Sequence, residues 1–181
     1  MTPILVRNIK HLTDARYFAA MGVDWMSIAL SQDPTSFMLW HALRSWVEGV
    51  GLAAEIDVKD EMLLAKTIID AKPNGIILKD TAIIDLPAEL TIFYEVNTPG
   101  EEAAVNEGKT ILLYNVMSSI DVLLKFPADK IFLQAKWSAE LLDDVLSKGY
   151  TGGICFIGGD EDMTGVRDYG AMDEMMALLA R

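Results

Sequence analysis

Short apolar and β-branched runs alternate along the chain with longer runs that repeat at helical spacing. The apolar runs at residues 4–10, 25–30, 51–58, 75–78, 90–96, 110–115, 130–134 and 153–157 predict eight strands. The spacing between them predicts helices over 13–21, 34–47, 60–71, 138–147 and 169–179. Thr13 or Asp14 can cap the first helix and Gly22 can close it. Pro34 stands in the first turn of the second, where its missing N–H costs nothing. Asp60 is the cap of the third, whose apolar stripe is Leu63, Leu64, Thr67 and Ile68. Ser138 caps the helix that Gly149 ends. Residues 81–86 are too few for a full helix, and shorter helices are expected near 100–106 and 118–125.

Eight β-then-α units favour a parallel sheet, and that number favours a closed barrel. The fold class expected is α/β, a single (β/α)8 TIM barrel over residues 1–181, shortened around units 4 and 5. An open parallel sheet is the alternative, because this fold ordinarily takes roughly 200 residues or more.

Composition then narrows the function. The net charge of −12 argues against nucleic acid and anionic membrane as partners, since both are negative. Residue 7 already carries charge, and no apolar run has the length of a leader or a membrane span. The lone Cys155 excludes an internal disulfide and a cysteine-built metal site, so a reducing, cytoplasmic setting is expected.

In a barrel of this kind chemistry sits at the C-terminal ends of the strands. Polar residues gather there: Asn8 and Lys10, Glu55 and Asp57, Lys79, Glu95 and Asn97, Tyr114, Gln134 and Lys136, and Gly158, Gly159 and Asp160. The pairs Asn8/Lys10, Glu55/Asp57, Glu95/Asn97 and Gln134/Lys136 have the two-residue spacing that puts both side chains on one face of a strand. Facing helices they would be costly, so they are expected to face the mouth. There they either bind a polar small molecule or neutralise one another, with Lys10, Lys79 and Lys136 set against Glu55, Asp57 and Glu95. Gly158 and Gly159, followed by Asp160, could free backbone N–H groups for an anion or could simply form a turn. His11 is either a general acid or base or a polar loop residue. The carboxylates could hold magnesium, but the neighbouring lysines argue against any metal. No cofactor is expected.

The stretch Asn8-Ile9-Lys10-His11-Leu12-Thr13-Asp14-Ala15, continued by Ala19-Ala20-Met21-Gly22-Val23-Asp24, resembles the opening of phosphoribosylanthranilate isomerases. Those open with Lys-Ile-Cys-Gly-Leu/Ile-Thr. The segment Gly165-Val166-Arg167-Asp168 is similar to the one before their last helix. The resemblance implies a barrel that carries out an Amadori rearrangement in tryptophan biosynthesis. It implies a cysteine base at the end of strand 1, an aspartate acid at the end of strand 6, and phosphate held after strands 7 and 8. Matched letter by letter, Lys10 stands for the cysteine and Tyr114 for the aspartate. Gln134-Ala135-Lys136 replaces a glycine-rich loop, and Gly158, Gly159 and Asp160 remain as half of a phosphate site.

Three readings follow. The first is an isomerase-like barrel with lost or altered activity on a small, phosphorylated, sugar-derived substrate, its catalytic candidates being Lys10, Tyr114 and His11. Substrate contacts would then come from Asn8, Glu55, Asp57, Lys79, Glu95, Asn97, Gln134 and Lys136. The second is a non-catalytic small-molecule-binding or interaction barrel, and the third a genuine isomerase. A homodimer is compatible with each.

Overall fold

Strand parity organises the molecule. In the computed structural model, which describes residues 2–56, 60–78, 86–97, 110–114, 124–158 and 168–180, eight parallel strands close into a barrel in chain order. They are β1 (Ile4–Arg7), β2 (Trp25–Ala29), β3 (Gly51–Glu55), β4 (Gly75–Leu78), β5 (Thr91–Val96), β6 (Thr110–Tyr114), β7 (Ile131–Gln134) and β8 (Gly153–Ile157). The barrel closes through β1 and β8, with Leu5 beside Cys155 and Arg7 beside Ile157.

Alternate residues of each strand point to the interior. Leu5, Ala53, Phe93 and Phe132, from the odd strands, meet Ile77, Leu113 and Cys155 from the even ones in one buried cluster. Odd and even strands thus fill alternating levels, as barrel closure demands. Below them Trp25 fills the space left by glycines: a Cβ on Gly51 or Gly75 would lie 2.6 or 3.2 Å from its ring. The opposite strand faces carry Ile4, Val6, Met26, Ile28, Leu112 and Leu133 into a second, larger core beneath the helices.

The helices begin and end for local reasons. They are α1 (Leu12–Ala20), α2 (Pro34–Trp46), α3 (Glu61–Lys66), α4 (Ala139–Ser147) and α5 (Gly170–Leu179). Asp33, Asp60 and Ser138 accept from the N–H of Thr35, Leu63 and Leu141 as side-chain caps. After α1, Gly22 takes φ +75° and the Val23 N–H reaches back to the Phe18 carbonyl, a closure that needs a residue without a Cβ.

Several predicted boundaries are corrected. His11, not Thr13 or Asp14, precedes α1, and Asp14 is buried, accepting from the Tyr169 hydroxyl at 2.5 Å. The third helix does not run regularly to residue 71: it widens into a π turn at Thr67–Ala71, whose last carbonyl is taken by Trp40 and Arg44. Residues 81–85, 100–106 and 118–123, where a short crossover and two helices are expected, lie outside the described residues.

Candidate functional site at the barrel mouth

The site starts where β1 stops. Arg7 is its last residue, and Asn8 turns out of the strand with φ +58°. Asparagine is one of the few side chains that adopts this left-handed conformation readily. The turn breaks the alternation that would have put Asn8 and Lys10 on one inward face. The Asn8 N–H donates to Glu55 Oε1 at 3.1 Å and Ser27 Oγ at 3.3 Å, while Lys10 is exposed. The inward residue at the end of β1 is Arg7, which the sequence reading passed over.

Arg7 is the centre of the top level of the barrel interior. Its Nη1 donates to Glu95 Oε1 at 2.9 Å and to Gln134 Oε1 at 2.8 Å, and its Nη2 donates to Glu55 Oε2 at 2.5 Å. The four residues come from β1, β3, β5 and β7, as one level of a barrel should. They sit on the apolar level beneath, and only 7, 12 and 10% of the Arg7, Glu55 and Glu95 side chains is exposed. Ser27 donates to Glu55 Oε1 in a very short hydrogen bond.

These contacts set the charge states. Burial works against a charged guanidinium, but the hydrogen bonds and charges of Glu55 and Glu95 outweigh it and hold Arg7 protonated. Burial likewise pushes the Glu55 carboxyl up. Arg7, Ser27 and the Asn8 N–H together outweigh that and hold it below the usual glutamate value. Cys155 lies at the level below, its Sγ 3.5 Å from Gln134 Oε1, and burial pushes its thiol well up. It is a packed thiol and not a nucleophile.

The predicted residues thus separate into three groups. Glu55, Glu95 and Gln134 converge on Arg7. Lys10, Asn97 and Lys136 are exposed, and His11 is half-buried at the start of α1. Asp57, Lys79, Gly159 and Asp160 lie outside the described residues. Two expectations are corrected. Tyr114 belongs to the outer core and packs on Phe126 at a ring distance of 5.7 Å, because Leu113 holds the inward position on β6. Gly158 does not offer its N–H to an anion: that group donates to the Arg7 carbonyl at 2.6 Å. The glycine is required because a Cβ there would stand 2.8 Å from the same carbonyl oxygen.

Among the described residues no group of three or more His, Cys, Asp or Glu side chains is placed to hold a metal ion, and no helix is long and apolar enough to cross a membrane. The class defined by these features is a (β/α)8 barrel with a charged interior level at its C-terminal mouth.

Solved structures with this fold include several phosphoribosylanthranilate isomerases. The enzyme of Pyrococcus furiosus superposes with a TM-score of 0.73 at 11% identity, over 98% of each chain. That of Thermus thermophilus gives 0.70 at 17%, over 99% of this chain and 98% of that one. A phosphoribosylanthranilate isomerase solved with reduced 1-(o-carboxyphenylamino)-1-deoxyribulose 5-phosphate gives 0.71 at 14%, over 97% of both. No protein-family model matches the chain, and no curated protein matches its sequence.

Proposed function

We propose that this chain is a phosphoribosylanthranilate-isomerase-like barrel that binds a small polar ligand at its mouth without the isomerase's acid–base chemistry. One observation carries the reading: the side chain at the end of β1, where the resembled enzymes keep a base, is a buried guanidinium clamped by two carboxylates.

The positive φ of Asn8 supports this placement. In the Lys-Ile-Cys-Gly opening of the family a glycine follows the cysteine, and a left-handed residue suits a glycine position. On that register Arg7, three residues before Lys10, takes the place of the base. Arginine has no lone pair to accept a proton and stays charged throughout the working pH range. The acid fares no better, since Tyr114 on β6 packs beneath the helices. A positioned general acid or base is worth on the order of 10²–10⁴-fold each. Lys10 and His11, on the first loop, are left as rim contacts to a ligand.

Purified protein assayed by fluorescence with phosphoribosylanthranilate is expected to show no turnover above background. A kcat near the enzyme median of about 10 s⁻¹ would overturn the proposal.

A further inference from the structure

Away from the mouth, the first and last helices leave a hollow on the outside of the barrel. On α5, Asp173, Met176, Ala177 and Ala180 recur at the three- and four-residue spacing that puts side chains on one helix face. That face meets α1, and its two alanines are too small to close the gap. The result is a hollow of about 170 Å³, completed by Leu179, by Met21 at the end of α1 and by Ile4 at the start of β1. An apolar cavity of about 150 Å³ is enough to hold a benzene ring. Methionine suits such a wall, because its thioether is adaptable and makes favourable contacts with aromatic rings.

Charge decides what kind of ring. The Tyr17 hydroxyl donates to Asp173 Oδ1 at 2.5 Å, and the Tyr17 ring stacks on Tyr169 at 3.8 Å, so the carboxylate is held in place at one end of the hollow. Among the described residues no cation pairs with Asp173, which leaves its Oδ2 for a second partner. The other end is formed by two helix C-termini: Met21 caps α1, Ala180 caps α5, and neither helix has a basic residue in its last turn. Helix C-termini carry partial negative charge, so the hollow is negative at both ends and apolar between them. We infer that it binds a compact organic cation, a primary ammonium carried on a ring-sized apolar body, with the ammonium on Asp173 and the ring between Met21 and Met176. This site is separate from the mouth, and it stands or falls without the function proposed there.

The test is titration of the full-length protein, labelled with ¹³C at the methionine methyls, with benzylammonium, benzyl alcohol and benzoate at millimolar concentration. Benzylammonium is expected to shift the Met21 and Met176 methyl resonances to saturation. Benzyl alcohol, with the same ring and no charge, should bind about fivefold more weakly, the scale of one exposed ion pair, and benzoate should not bind. Asp173→Asn keeps an acceptor for Tyr17 but removes the charge, and should bring benzylammonium down to the level of benzyl alcohol. Ala177→Leu places a good helix former at an exposed position and fills the hollow, and should abolish the shifts. The inference is overturned if benzylammonium leaves both methyls unmoved, if benzyl alcohol or benzoate binds as tightly, or if Ala177→Leu retains binding. The three titrations of the unmodified protein decide the matter even if a variant does not fold.

Discussion

Arg7 Nη2 and Glu55 Oε2 meet at 2.5 Å across the barrel interior, joining β1 to β3 over the intervening β2. The contact ties residues 48 positions apart, and the same guanidinium reaches Glu95 on β5 and Gln134 on β7. One side chain therefore links all four odd strands.

Removing that side chain leaves two buried carboxylates without their cation. Breaking a buried pair from one side costs about 3–5 kcal/mol, more than its mutual attraction is worth, because the remaining charge is uncompensated. Arg7→Met is expected to lower stability by that amount in urea unfolding followed by circular dichroism. Arg7→Met/Glu55→Gln/Glu95→Gln, which removes all three charges, should recover a substantial part of it. A single Arg7→Met variant within about 0.5 kcal/mol of the unmodified protein would contradict the assignment.

Acid should weaken the fold through Glu55. Its carboxyl is pushed up by burial, but Arg7, Ser27 and the Asn8 N–H outweigh this and hold it below the ordinary value of 4.5. A group depressed in the folded state adds stability that is fully present above its unfolded value and is lost as pH falls through the folded one. Urea midpoints measured from pH 7 down to pH 3 should therefore decline below about pH 4.5. Glu55→Gln should show a shallower decline over that window. Equal slopes would mean that Glu55 titrates alike in both states.

Gly153 should not tolerate a side chain. It sits on β8 beside Phe132, and an added Cβ would lie 2.5 Å from that ring. The ring is part of the closed interior cluster and has little room to yield. Gly153→Ala is expected to destabilise by about 1–3 kcal/mol, read as a lower melting temperature. Gly49→Ala also introduces a Cβ, but nothing lies within 4 Å of it, and its cost would come from a φ of +77° alone.

Cys155 should resist alkylation in the native state. It is fully buried, and burial pushes its thiol far above the range where a thiolate forms at neutral pH. Iodoacetamide labelling followed by mass spectrometry should proceed only as fast as the protein opens, and urea should release it to the rate of a free cysteine. Rapid labelling of the folded protein would show that the interior below Arg7 is accessible.

Much of this architecture was legible in the residue pattern. Eight apolar runs separated by helical ones predict the closed parallel barrel, and the caps Asp60 and Ser138 and the closing Gly22 act where the local rules place them. Those features depend on neighbours within a few residues, which the sequence displays directly. The gathering of polar residues at the strand ends was visible for the same reason, and Glu55, Glu95 and Gln134 do converge. Their central partner was not visible. Alternation assigns faces only once the end of a strand is known, and a one-residue shift exchanges inside for outside. β1 ends at Arg7 because Asn8 turns left-handed, and its N–H is then taken by Glu55 and Ser27 from other strands. The same parity sends Tyr114 under the helices while Leu113 faces inward. A strand by itself contains both possibilities, and the closure of the barrel around its interior selects between them.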